Sequence, residues 1–192
     1  GNATKIDALM TREYLRAGHA LPMPDASREF AGGYTDIFAT GVIRNIHHCD
    51  IRSLYPSLML TRKICPASDE LGVFLKLLDL LRTMRLDARE KMKKSGSKLE
   101  VLHLDAMQGT FKILINSFYG YLGFQQARFC DFAAAERVTT SGRELLANMI
   151  NWLKEHGARP VEIDTDGIYY VPPSGGKKKE DKFRKDFAES LP

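Results

Sequence analysis

The amino-acid sequence predicts a mixed helix-and-strand chain interrupted by an all-helical insertion, and three observations predict it. Apolar residues recur at helical spacing through Leu71, Phe74, Leu75, Leu78 and Leu81, the i, i+3, i+4 stripe of an amphipathic helix. Two runs rich in β-branched and aromatic residues, Val161-Glu162-Ile163 and Ile168-Tyr169-Tyr170-Val171, flank the polar tetrad Asp164-Thr165-Asp166-Gly167, which reads as a β-hairpin. Ahead of that hairpin, Ser95-Gly96-Ser97 joins two long helical stretches, so these lie antiparallel as a helical hairpin.

Each element follows in order. Residues 1–20 read as a helix that Leu21-Pro22-Met23-Pro24 breaks, because proline has no amide donor and is rejected from a helix interior. Gly32 and Gly33 punctuate the next loop, where paired glycines permit tight turns and close backbone approach. Residues 42–51, VIRNIHHCDI, contain β-branched residues and predict a strand containing Asp50. Ser53-Leu54-Tyr55-Pro56-Ser57 turns away from it, and Pro56 suits the opening of a helix. The amphipathic helix covers Glu70 to Lys94, with Ser68 as its N-cap and acids in its first turn. Its partner runs from near Leu99 to Asn116 or Tyr119. A third helix spans Ala133 to His156, and Gly157 ends it as the C′ residue. After the β-hairpin, Pro172 to Gly176 form a loop and Lys177 to Leu191 a final helix.

At 192 residues the chain suits one large domain or two small ones, and 44% hydrophobic against 27% charged residues excludes a disordered chain. No apolar run reaches the ~18 residues of a membrane helix; the richest stretch, Leu71 to Leu81, contains Lys76 and Asp79. The first residues lack the apolar centre of a signal peptide. Cys49, Cys65 and Cys130 cannot all pair and fit no zinc spacing. The expectation is a cytoplasmic protein of a reducing compartment with no membrane anchor. Lys and Arg exceed Asp and Glu by 28 to 24. The segment Leu71–Lys112 holds nine of the bases and five of the acids, so the whole excess sits there. That suits a phosphate-bearing partner and equally a solvated helix face.

Asp50, and the pair Asp164 and Asp166, place carboxylates at two turn sites. Two carboxylates ~4 Å apart repel by ~4 kcal/mol at an effective dielectric of about 20, so a chain that brings them together needs a proton or a cation there. Hard oxygen donors select Mg²⁺ or Mn²⁺. By itself Asp-Thr-Asp-Gly is also an ordinary turn. Arg85 and Arg89 are four apart on one helix, and Lys112, Asn116 and Tyr119 fall at i, i+4 and i+7 on the next. A hairpin can aim both sets at one ligand, the cations for phosphate oxygens and Asn116 and Tyr119 for a base or sugar. The same stripe also describes a surface with one buried tyrosine. His47-His48-Cys49-Asp50 looks like a soft-metal cluster, but neighbours on a strand point to opposite faces, so packing or surface roles are expected for the histidines and Cys49. A Walker-type phosphate loop and a G-x-S-x-G elbow are both missing from the sequence, which removes the commonest nucleotide-hydrolase and esterase readings.

Together these segments resemble a family B DNA polymerase. Asp50-Ile51-Arg52-Ser53-Leu54-Tyr55-Pro56-Ser57 resembles the family's first catalytic motif, D-x-x-S-L-Y-P-S, and Lys112 to Gly120 resembles its second, K-x-x-x-N-S-x-Y-G. Asp164-Thr165-Asp166 resembles the third, D-T-D. Phe30-Ala31-Gly32-Gly33 is similar to the Y-x-G-G template-contact motif with Phe for Tyr, and Arg85 with Arg89 to the R-x-x-x-K pair with Arg for Lys. The third motif usually reads Y-G-D-T-D-S; here Glu162-Ile163 replaces Y-G and Gly167 replaces Ser, as in archaeal members that carry D-T-D-G. Glu162 therefore adds an acid near the site. The resemblance runs from about residue 26 to the C-terminus.

The resemblance implies an α+β fold: a palm with an antiparallel sheet backed by helices, over 1–67 and 125–192, and an inserted antiparallel helical hairpin, the fingers, over 68–124. It implies two-metal nucleotidyl transfer from a dNTP to a primer 3′-hydroxyl. Asp50 and Asp166 bridge two Mg²⁺ ions, which Mn²⁺ replaces, with Asp164 as an outer partner. Arg85, Arg89, Lys112 and the amides of Ser53 and Leu54 hold the triphosphate, Tyr55 excludes a 2′-hydroxyl, and Asn116 and Tyr119 line the base-pair pocket. Phe30, Gly32, Gly33 and Gly120 face template DNA. Primer–template DNA and dNTP are the implied partners. A catalytically silent, nucleic-acid-binding relative is the alternative, and an unrelated metal-dependent phosphotransferase a third reading.

Overall fold

Two sets of residues cluster separately in the structure, a computed structural model that describes residues 1–24, 26 and 28–191. The first unit comprises Gly1–Phe30 with Tyr55–Val138, and the second Ala31–Leu54 with Thr139 onward. In chain order the elements are α1 (Asn2–Arg16), β1 (Thr35–Ile37), β2 (His47–Asp50), α2 (Leu54–Thr61), α3 (Val73–Lys94), α4 (Lys98–Leu122), α5 (Phe132–Glu155), β3 (Arg159–Asp164), β4 (Gly167–Val171) and α6 (Lys177–Glu189).

The first unit is helical. Phe74 near the start of α3 meets Phe118 and Tyr121 near the end of α4, with ring centroids 5.0 and 6.1 Å apart, so the two helices run antiparallel, as the Ser-Gly-Ser link predicts. Ser97 caps α4 by accepting from the Glu100 amide. The helix predicted from Glu70 begins instead at Val73, after Gly72 at φ +63. The carboxylate that caps it belongs to Asp69, not Ser68: Asp69 accepts the amides of Val73 at 3.1 Å and Phe74 at 2.7 Å. Tyr14 of α1 holds that carboxylate through its hydroxyl at 2.8 Å and accepts the Leu71 amide. Burial pushes the Tyr14 phenol up to about 12. The predicted 1–20 helix stops at Arg16, where Gly18 at φ +65 closes a Schellman motif: the Gly18 and His19 amides donate to the carbonyls of Leu15 and Tyr14.

The second unit is an antiparallel sheet in the order β1-β3-β4-β2 with helices behind it. The predicted hairpin is present and longer than expected. The predicted strand 42–51 shrinks to His47–Asp50, which matches the four residues that β4 pairs; Asn45, at φ +57, breaks the run before it. β1, all exposed and only three residues long, has no alternation to betray it. Ile163 and Ile168 are buried on one face, where Tyr170 meets Phe183 and Phe187 of α6 and these in turn pack on Trp152 of α5. Gly157, at φ +79, ends α5 as predicted, with the Gly157 and Ala158 amides donating to Lys154 and Leu153. Among the described residues no helix is long and apolar enough to cross a membrane.

Candidate active site

The exposed face of the sheet gathers the acidic residues at one end. Side chains alternate along a strand, so His48 and Asp50 of β2 point away from the face of His47 and Cys49. Asp50 pairs with Gly167, and Gly167 with Asp164 on the next strand. The Ile51 amide donates to the Asp166 carbonyl at 2.8 Å. The three carboxylates thus stand on three neighbouring stretches of backbone. Thr165, at φ +54, makes the turn between the strands; its amide donates to Tyr34 and its hydroxyl to Asp164 at 3.0 Å.

Partial burial, then the charge of Asp50, then that of Asp164, raise the Asp166 carboxyl above its usual range. Burial acts because a carboxylate loses hydration, and its neighbours act because like charges disfavour ionisation. His48 works in the opposite sense on the same carboxyl. Glu162, the unexpected acid, is half-buried on β3, opposite Ile37 and Tyr169. Burial and then Asp50 raise the Cys49 thiol, which makes it a poor thiolate ligand. His47 sits on the other face, against Tyr170 and 3.8 Å from Glu180, so the two histidines diverge as expected.

Among the described residues no three His, Cys, Asp or Glu side chains form a metal-holding group. At the acidic end the charges of Asp50 and Asp164 both reach the Asp166 carboxyl, and Mg²⁺ characteristically takes one or two carboxylates and completes its shell with water and phosphate oxygens. The donor set fits such an ion in kind.

Ser53, at φ +53, and Leu54 follow β2 in the same unit. The remaining predicted residues lie in the helical unit, except the glycines of the Phe30-Ala31-Gly32-Gly33 loop. Arg85 and Arg89 stand half-buried on α3. The Arg85 Nε is buried with no hydrogen-bond partner among the described residues, and burial, then the charge of Arg89, lowers its pKa. With Phe74 level with 118–121 on α4, Arg85 comes within about a helical turn of the height of Lys112. Lys112 and Asn116 are exposed, and Tyr119 lies against Tyr55 of α2 with centroids 4.6 Å apart. A Cβ at Gly120 would meet nothing within 4 Å, so the fold does not require the ~1 kcal/mol that glycine costs inside a helix. Phe30 packs on Phe132 at 6.4 Å. Gly32 is exposed with open space where a Cβ would stand, and it is not among the glycines at positive φ. Arg143, which sequence reasoning passed over, donates to the Ala31 and Gly32 carbonyls, and Thr139 donates to Ala31. His48, expected in a packing or surface role, lies on the acidic face, as its i−2 spacing from Asp50 places it.

Fold and site define a mixed α and antiparallel-β protein whose sheet ends in a crowded acidic turn. The family model for DNA polymerase family B matches residues 67–169, and the chain belongs to that family. It is 34% identical to a DNA polymerase of Thermococcus sp. (strain 9oN-7) over 85% of this chain and 24% of the relative. With a DNA polymerase of Pyrococcus glycovorans the identity is 34% over 84% of this chain and again 24% of the relative. A family B DNA polymerase structure from Pyrobaculum calidifontis matches 97% of this chain and 28% of its own, with TM-score 0.69 and 24% identity, a likeness of fold. The chain thus spans about a quarter of the length of these relatives.

Proposed function

We propose that this segment is the catalytic core of a DNA-directed DNA polymerase, with the sheet unit as palm and the α3–α4 hairpin as fingers. The observation that carries the reading is that strand pairing brings Asp50, Asp164 and Asp166 to one end of the sheet, where burial first and then the charges of Asp50 and Asp164 raise the Asp166 carboxyl. Asp50 and Asp166 would hold two Mg²⁺ ions, or Mn²⁺ in their place, with Asp164 orienting the turn. Bound ions would supply Lewis-acid chemistry for the primer 3′-hydroxyl and the triphosphate. The 3′-oxygen would bond to the α-phosphorus of a dNTP as pyrophosphate leaves.

The chain's own groups would do the positioning. Arg85 has an unused buried donor, and with Arg89 and Lys112 it would take triphosphate oxygens in charge-assisted hydrogen bonds. Amides of Ser53 and Leu54 would reach the same group. Tyr55, braced by Tyr119, would meet the sugar face and exclude a 2′-hydroxyl, and Asn116 would line the base pocket. Gly32, Gly33 and Gly120, with Phe30, would let template DNA approach closely, which gives a reason for glycine at 32 and 120, where the fold itself leaves space. The partners are primer–template DNA and dNTP.

Primer extension with Mg²⁺ tests this in the full polypeptide that carries the segment. Asp50→Asn and Asp166→Asn should each lower incorporation by about 10³-fold or more, the scale of losing a charge-stabilising group, with unchanged circular dichroism. Near-normal extension by either folded variant would falsify the ion-holding role.

A further inference from the structure

His48 has no part in the reading above, yet it stands beside the acidic turn. It lies two residues before Asp50 on the exposed face. Its ring stacks on its cross-strand partner Tyr169, with centroids 4.3 Å and planes 20° apart. That stacking points Nε2 along the sheet at residue 167. A Cβ added to Gly167 would come 2.7 Å from Nε2 and 3.6 and 3.7 Å from Cδ2 and Cε1, and His48 supplies all three nearest atoms. Gly167 is absent from the residues at positive φ, so its backbone does not demand glycine. What a side chain there would meet is the far end of the exposed His48 ring, which could yield only by leaving its stack on Tyr169.

We propose that His48 and Gly167 form a size-matched pair that positions the Asp166 carboxylate: the stacked imidazole fills the side-chain space of residue 167 and holds the Asp164–Gly167 turn against β2. His48 is then a positioning residue, acting through the backbone of the residue next to Asp166 and alongside the Ile51–Asp166 hydrogen bond. The inference rests on Asp50 and Asp166 being the ion-holding pair. It also gives a reason why this chain carries glycine after D-T-D.

A double-mutant cycle with Gly167→Ala, His48→Ala and the double variant tests it, read by Mn²⁺ binding in electron paramagnetic resonance titrations, by thermal melting and by single-nucleotide primer extension. Gly167→Ala should weaken Mn²⁺ binding about tenfold, as loss of a supporting partner does. The double variant should bind as His48→Ala does, because the added methyl enters the space the ring has left. Should Gly167→Ala fold poorly, the double variant should melt with His48→Ala. Losses that multiply in the double variant, or Gly167→Ala binding and melting like wild type, would overturn the pair. Wild-type protein that binds Mn²⁺ without extending a primer would overturn the polymerase reading and leave the pair standing. Extension with multiplying losses would do the reverse, and wild-type protein that binds no Mn²⁺ would overturn both.

Discussion

Three carboxylates of the helical unit, Asp7, Asp69 and Asp131, each accept two or more donors, whereas at the end of the sheet the charges of Asp50 and Asp164 bear on Asp166. Asp69 accepts two backbone amides and the Tyr14 hydroxyl. Asp7 accepts the Tyr121 hydroxyl and the Arg128 amide, and Asp131 the amides of Ala67 and Ala134. Asp166 instead gives its main-chain carbonyl to Ile51 while its carboxyl meets the charges of Asp50 and Asp164. A saturated carboxylate locks a helix end, so its loss costs stability. A crowded one is left with repulsion that, on the proposed function, a bound cation would relieve, so its loss is expected to cost function. The two units therefore predict opposite mutational phenotypes.

The largest expected effect is catalytic: Asp50→Asn or Asp166→Asn should silence primer extension without loss of stability, and a variant that unfolds instead would erase the contrast. Asp69→Ala should do the converse. It strands two amides and a buried tyrosine hydroxyl, so urea denaturation should show a loss of about 3 kcal/mol with little change in kcat per folded molecule. Tyr55→Ala should narrow the preference for dNTP over NTP by about tenfold, measured as a ratio of kcat/KM values; an unchanged ratio would detach Tyr55 from sugar selection. Lys112→Ala should raise KM for dNTP roughly fivefold with a smaller change in kcat, and unaltered kinetics would remove it from the triphosphate site.

The smallest effect separates the two kinds of acid most directly. The folded Asp166 carboxyl has a pKa above its unfolded value, so between those values the folded state binds more protons and stability falls as pH rises. Above the raised value the full repulsion remains. Asp166→Asn should therefore melt slightly higher at neutral pH, by less than about 1 kcal/mol for so exposed a group, and should flatten the acid side of the stability profile. A melting point that drops would place Asp166 with the saturated acids.

Local signals carried far in this molecule. Ser97, Gly157 and the Ser-Gly-Ser link each sit where their intrinsic preferences put them, because caps and turns depend on one or two residues. The Asp164–Gly167 hairpin was legible for the same reason. Asp69 was not legible as the cap of α3, since Tyr14, far away in sequence, helps to hold its carboxylate. Nor was β1, whose three exposed residues become a strand only because β3 offers an edge. His48 was assigned to packing or surface because its partners, Tyr169 and Gly167, lie across a ladder whose register the sequence does not spell out.

Spacing and residue type, then, determined by themselves that this chain carries helices with a basic stripe and an acidic hairpin, and its segments resemble three motifs of the family to which it belongs. Tertiary structure alone decided which acids would be neutralised by donors and which would be left to repel. Helical and turn preferences act within a few residues, whereas the charge around Asp166 is a sum over strands that pairing brings together from opposite parts of the chain.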